Sequence, residues 1–448
     1  MLEMVAGEPP AGPELPQGLR RLDALVSDGG GLIGRTTRIS SAAAKLVVYS
    51  STMGELEHLH PNIRSTTGRQ SGSELGGGGG GTDPQLARAI SIAEALERYS
   101  SCVLPKDLLW ASAAELGPRA VDLGRFPRVS AAELAHPACP VTLPDRDEPI
   151  RWATSWSLTE ERPVLVPAVS VWLHIPALTP SERFTMPIST GCATHTDLHR
   201  ALLNAVCEVI ERDSIALTWL QRLPLPRIEF DRVSAELARS LAEVERKGIR
   251  MTFFDATSEF GIPTLYSIDE DPRSGHVRHV VMCATDLDPD QAAIKMLRET
   301  ASSRIALAAA EPPPESEDDF HSVFHGARYM GAPERSGAYD FLLNSDNGVR
   351  RFSELPRPAT GNSRADLAMV VERLEKHGMD VYAVELTTAE AREVGFRVVR
   401  VIVPQLMPLS FVHRARYLAH PRLFEGPLAM GYPAHPEADI NPWPQPFA

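Results

Sequence analysis

Ser91–Arg98 reads SIAEALER and Asn204–Arg212 reads NAVCEVIER, and the fold is to be read outward from these two stretches. Each sets two glutamates three residues apart, Glu94 with Glu97 and Glu208 with Glu211, then an arginine, inside an otherwise apolar run. Helical residues three and four apart share a face. Glu97 therefore falls on the arc of Leu86, Ile90, Ala93 and Leu96, and Glu211 on that of Leu203, Cys207, Ile210 and Leu217, the arcs expected to be buried. Glu94 and Glu208 stand on the shoulders of those arcs. A carboxylate turned toward a core is costly unless its charge is compensated, and a metal ion compensates most strongly. Four carboxylates on two helices suggest a Mg2+ cluster, and such clusters usually hold phosphates. The ordinary reading of one ExxER stripe is a solvated face with its own counter-charge; two matched copies weigh against it.

At 448 residues the chain can bury a large core, as one α/β unit or as two to three lobes. Hydrophobic content of 43% and charged content of 23% are those of an ordinary globular protein. No uninterrupted apolar run reaches the length of a membrane span, and the acidic, Pro/Gly-rich start is unlike a signal peptide. A cytoplasmic location is expected, with no membrane partner. Cys102, Cys139, Cys192, Cys207 and Cys283 are scattered and odd in number, so they read as reduced and mostly buried. A net charge of −13 and the lack of a basic stripe argue against nucleic-acid binding.

Residues 1–18 read as a disordered tail, and 19–448 as the domain that follows it. GLIG and KLVVYS suggest strands between Leu22 and Ser51. Gly76–Gly81 reads as a glycine loop entering a helix from Asp83 to about Val103, where backbone N–H groups can meet an anion unobstructed; its plainer reading is a flexible linker. PIRWATSWSL and RPVLVPAVSVWL read as paired strands after a Pro-rich stretch, 105–150. A glycine turn then feeds the second glutamate helix, with Thr196 or Asp197 as its N-cap. IRMTFFDAT, PTLYSI and HVVMCAT are strands, and DPDQAAIKMLRETASSRIALAAA is a third helix. There Arg304 faces the arc of Ile294, Leu297 and Ala301 and wants an anionic partner. A helix–strand, VERLEKHGMDVYAVELT, and the strand GFRVVRVIVPQL precede the stretch NPWPQPFA.

In order, these pieces resemble the YcaO-domain family. GGGTDPQLARAISIAEALERYS is similar to its Gly-rich loop and SxxExxER; STGCATHTDLHRALLNAVCEVIERDS to its second glutamate block; LDPDQAAIKMLRETASSR to its third helix; VVRVIVPQL to its late strand. Pro442-Trp443-Pro444-Gln445-Pro446 matches the PxPxP of azoline-forming members. The resemblance implies an α/β fold with mixed and antiparallel sheets, flanking helices and an ATP site, not of the P-loop kind, between two Glu-bearing helices. It implies ATP and Mg2+ as cofactors, with Glu94, Glu97, Glu208 and Glu211 handling the metal. Gly79, Gly80, Gly81, Ser91, Glu94, Asn204, Glu208 and Arg304 would bind the nucleotide. Glu299 carries over by motif only, since it points away from the apolar arc. Pro442, Pro444, Pro446 and Ala448 would belong to the catalytic tail, expected to position the reacting peptide bond.

Three departures stand out. The loop's usual lysine reads Gly80, the third helix's usual glutamine reads Ser302, and His195 replaces a glycine, as a structural variant. The activity implied is cyclodehydration of Cys, Ser or Thr in a ribosomal precursor peptide, with the hemiorthoamide oxygen phosphorylated by ATP and eliminated as phosphate. Thioamide or macroamidine formation, and an inactive scaffold or peptide-binding subunit, are the alternatives; neighbouring genes for a flavin dehydrogenase or a TfuA-like protein would separate azole from thioamide chemistry. A homodimer is expected, as is an E1-like or ThiF-like partner for the leader peptide, because the short segment before the match is too small to fold as a binding domain.

Overall fold

Antiparallel strands account for most of the sheet structure. The computed structural model describes residues 3–5, 15–40, 47–54, 56, 60–63, 76–81, 83–246, 248–344 and 346–447. The chain divides into two units. One comprises Met1–Gly124, Pro144–Val206 and Asp380–Ile402, and the other Arg125–Leu143, Cys207–Met379 and Val403–Ala448. Among the described residues no helix is long and apolar enough to cross a membrane.

The first unit holds an antiparallel sheet in the order Glu3–Val5, Ile33–Ser40, Val47–Met53, Gly77–Gly81. Two expectations are corrected here. Glu3–Val5, inside the expected disordered tail, pairs with Arg38–Ser40, and Gln17–Arg20 is helical; the rest of that tail up to residue 14 lies outside the described residues. The glycine run is a strand, not a loop, paired residue for residue with Val47–Ser51. The reason lies in the helix beside it, Pro84–Cys102. A Cβ on Gly77 would stand 2.0 Å from the Ser91 carbonyl oxygen, and one on Gly79 would stand 2.0 Å from that of Ala87. Only glycine lets strand and helix backbones approach so closely. The helix starts where Asp83 caps it, Oδ1 accepting from the N–H groups of Gln85 (2.8 Å) and Leu86 (3.3 Å), with Pro84 in the first turn.

The unit's other sheet runs Leu109–Ala111, Ile150–Ser157, Tyr382–Glu385, Arg397–Ile402, Cys192–His195, all antiparallel, and Arg162–Pro167 also pairs with Ile150–Ser157. In the second unit the sheet order is His279–Thr285, Thr264–Glu270, Arg250–Asp255, Arg227–Glu229, Val349–Arg351, the last pair parallel. The helix Pro289–Ala309 buries Ala293, Met296 and Leu297 in one cluster with Leu265, Met282 and Phe352. The expected fold class, mixed α/β with antiparallel and mixed sheets and flanking helices, is the one observed.

The second glutamate helix, Leu198–Leu220, begins in the first unit and ends in the second. Asp197 caps it, accepting from Arg200 N–H at 2.7 Å, and His195 Nδ1 in turn accepts from Asp197 N–H at 2.9 Å, a structural use of that histidine. Further along, Asp213 is fully buried. It accepts from Met407 N–H (2.8 Å) and from Arg422 Nε and Nη2 (Nη2 at 2.7 Å), and the Arg422 guanidinium also reaches Glu259. Four of the five cysteines are buried and none is in a disulfide.

Candidate functional site

The second glutamate helix turns Glu211 inward as its arc predicts: Leu203, Cys207, Ile210 and Leu217 are buried and Glu211 is 1% exposed. Two donors compensate the carboxylate. Thr285 N–H, on the edge strand of the second unit's sheet, and Lys295 Nζ each stand 3.1 Å from Glu211 Oε2. One turn back, Glu208 Oε1 accepts from Arg212 Nη2 at 3.1 Å, and Arg212 Nη1 lies 3.8 Å from Glu211 Oε1. Burial alone would lower the Lys295 ammonium, but Glu211, Glu299 and Glu208 raise it well above the lysine range. Loss of solvent pushes the Glu299 carboxyl up, against the pull of Lys295. Acidic and cationic groups thus alternate within one unit: Glu208, Glu211 and Glu299 with Arg212 and Lys295.

The Pro-rich stretch runs to this cluster. Trp219 Nε1 donates to Trp443 O (3.0 Å), Asn441 N–H to Leu220 O (2.9 Å), and Asn441 Nδ2 to Trp219 O (3.0 Å). Pro442 is exposed, whereas Pro444, Pro446 and Phe447 are buried. Phe447 forms a parallel bridge with Val281, and its ring lies under the Arg212 guanidinium, 4.5 Å from carbon to centroid. Gly326 makes room for the stretch, since a Cβ there would stand 2.3 Å from Gln445 O. Ala448, assigned to the tail with the three prolines, lies outside the described residues.

The first glutamate helix departs from expectation. Drawn onto the glycine strand, it buries Ala87, Ser91 and Ala95, while Leu86, Ile90 and Ala93 are half-buried. Glu97 is accordingly half-buried rather than in the core. Ser91 faces the strands: its hydroxyl pairs with Ser51 Oγ at 2.8 Å and donates to Arg88 O at 2.8 Å. Glu94 Oε2 accepts from Gly78 N–H (2.8 Å) and Oε1 pairs with Arg98 Nη2 (2.7 Å). Gly79 and Gly81 are buried, Gly80 half-buried. Asn204 is exposed, one turn before Glu208 on its helix.

Arg304 has backbone partners within its own unit. It donates to Val277 O (3.1 Å) and Asp269 O (2.8 Å), tying its helix to the sheet beside the buried Asp269. Lys295 and Phe447 were missed. The Lys295–Glu299 spacing of four was the available signal for the first, and an aromatic directly after PxPxP for the second. Glu299, carried over by motif alone, sits in the cluster.

Among the described residues no three carboxylate, imidazole or thiol groups gather to hold a metal ion. Glu94, Glu208 and Glu211 are compensated by cations and backbone donors. The donor set still fits Mg2+ with phosphate: the oxygens are hard, and Mg2+ takes one or two carboxylates while keeping water and phosphate oxygens. Arg212 Nη1 is a buried donor with no hydrogen-bond acceptor among the described residues, as an incoming anionic oxygen requires.

Comparison with known proteins agrees with this chemistry. The family model described as YcaO cyclodehydratase, ATP- and Mg2+-binding, matches residues 78–407. An uncharacterised protein in the tfuA 3' region of Rhizobium leguminosarum bv. trifolii is 27% identical over 348 residues, 73% of this chain and 76% of that protein. A heterocyclase solved in complex with substrate and cofactor is similar with a TM-score of 0.80 and 23% identity, over 96% of this chain but only 57% of its own. YcaO from Methanopyrus kandleri, bound with AMPPCP and Mg2+, is similar with a TM-score of 0.60 and 21% identity, over 87% of this chain and 90% of its own. These two structures share the fold.

Proposed function

Because the chain belongs to the YcaO family, whose cofactors are ATP and Mg2+, we propose that it is an ATP-dependent cyclodehydratase closing Cys, Ser or Thr of a ribosomal precursor peptide into azolines. The observation that carries this reading is the Pro-rich stretch seated on the second glutamate helix, with Phe447 on Arg212 and Arg212 on Glu208. A reaction on a peptide bond beside the nucleotide calls for such a stretch to position the peptide.

In this reading Glu94, Glu97, Glu208 and Glu211 supply carboxylate oxygens to Mg2+, and Arg212 and Lys295 supply positive charge to the phosphates. Bound Mg–ATP would neutralise and align the transferred phosphoryl group. The protein's own share is electrostatic: cations fixed before the reaction stabilise charge that develops on the amide oxygen. Glu211 holds Lys295 in place, and the extended prolines hold the peptide at low entropic cost.

The test is the mass of a precursor peptide co-expressed with the chain, where each ring formed removes one water. Loss of water in the wild type and its absence with Glu211→Gln is the expected result. Exchange of amide oxygen for sulfur would instead indicate thioamidation, the second reading, which the relative from the tfuA 3' region favours. An unmodified peptide with no phosphate release would indicate the scaffold reading.

A further inference from the structure

The Arg212 guanidinium is held on two sides. Nη2 donates to Glu208 Oε1 at 3.1 Å, and the face of the Phe447 ring lies 4.5 Å from the central carbon. The third group, Nη1, is buried, lies 3.8 Å from Glu211 Oε1 at ion-pair distance, and has no hydrogen-bond acceptor among the described residues. A guanidinium has five N–H donors in a fixed plane, so whatever sets that plane decides where the free donors point. Phe447 is itself fixed: it is 4% exposed, and its backbone bridges Val281 on the edge strand His279–Thr285. The same strand ends at Thr285, whose N–H holds Glu211. One strand therefore registers both the ring that faces Arg212 and the carboxylate beside it.

We propose that Phe447 is a positioning residue for the nucleotide: its ring sets the plane of Arg212 so that Nη1 meets a phosphate oxygen. ATP affinity then depends on the docked Pro-rich stretch. This rests on the Mg–ATP reading above, and it adds a role at the nucleotide to the one expected of the stretch at the peptide.

The experiment is calorimetric titration of the full chain with Mg–AMPPCP, in wild type, Phe447→Tyr, Phe447→Leu and Arg212→Met. Leucine keeps the apolar burial and removes the ring face, whereas tyrosine keeps the face. Phe447→Leu should weaken binding about five- to tenfold, and Phe447→Tyr should stay within about twofold of wild type. Arg212→Met should weaken binding at least as much as Phe447→Leu, and a Phe447→Leu, Arg212→Met double variant should be no weaker than Arg212→Met. Thermal melts establish that each variant is folded. Unchanged affinity in Phe447→Leu alongside a weakened Arg212→Met would overturn the proposal and leave the Mg–ATP reading standing. Equal weakening by Leu and Tyr would also overturn it, since packing rather than the ring face would then be responsible. Unchanged affinity in Arg212→Met would remove the nucleotide from this cluster and sink both.

Discussion

Glu211 and Asp269 are both buried acids in the second unit, and their surroundings give them opposite consequences. Glu211 has a cation and a backbone donor on one oxygen, with Lys295 38% exposed at the side chain. Glu211→Gln keeps an acceptor for Thr285 N–H and leaves a lysine that water can reach. It should therefore cost only about 1–3 kcal/mol, with a modest fall in Tm, while peptide-dependent phosphate release drops by orders of magnitude. Release near the wild-type rate in a folded variant would exclude Glu211 from the phosphate chemistry. Asp269 accepts from Thr300 Oγ1 (2.6 Å) and Ser267 Oγ (3.0 Å), and burial pushes its carboxyl up from 3.8 to about 6, with Arg304 pulling the other way. A carboxyl raised by folding binds its proton more tightly in the native state. Its contribution thus favours the fold below about pH 4 and is lost as pH rises through about 6, an amount on the order of 3 kcal/mol. Asp269→Asn should flatten the pH dependence of unfolding free energy between pH 4 and 6, measured by urea denaturation at each pH. An unchanged profile would show that Asp269 does not titrate in that range.

The glycine strand shows at the level of elements why some of the site was legible in the sequence and some was not. Short continuous apolar runs exposed the strands around Arg250, Thr264 and His279, and the 3.6 period exposed all three long helices, because both are local signals. Glycine carries no such signal. Nothing in Gly77–Gly81 itself says strand; the reason is the backbone of Ala87 and Ser91 pressed against it. That same approach turned Ser91 into the core and left Glu97 half-buried, so the arc drawn from the first stretch alone was rotated. Glu211 was placed correctly because its helix follows the plain apolar pattern. Lys295, Phe447 and the partners of Arg304 depend on contacts between segments distant in sequence, which periodicity does not carry. The strand makes its own prediction. A methyl at Gly79 must displace the helix, so Gly79→Ala should destabilise the fold by about 1–3 kcal/mol or more and weaken Mg–AMPPCP binding. Gly80 lies on the opposite face by alternation, so Gly80→Lys should fold normally and bind nucleotide as well as wild type or better. Thermal melts and titrations of both variants decide; equal effects at the two positions would contradict the alternating faces.

At the scale of the whole molecule, each unit is assembled from three separated segments, and the helix Leu198–Leu220 contributes to both. Recognition of a precursor's leader by a separate E1-like partner would add to this chain what effective concentration gives any tethered substrate. Purified chain with peptide should release phosphate slowly, and addition of an E1-like leader-binding protein should raise the rate at least tenfold. Full-rate, leader-dependent turnover by the chain alone would refute that division of labour.

Gly326 gives the Pro-rich stretch a second genetic address. A side chain there collides with the Gln445 carbonyl oxygen, which belongs to the main chain. A missense allele at codon 326 should therefore behave as an allele of the stretch more than a hundred residues away, matching deletion of Pro442–Ala448 in a screen for peptide modification. Because the collision is with backbone, no replacement of the Gln445 side chain should suppress it. Suppressors arising at codon 445 itself would show that the two segments do not meet as described.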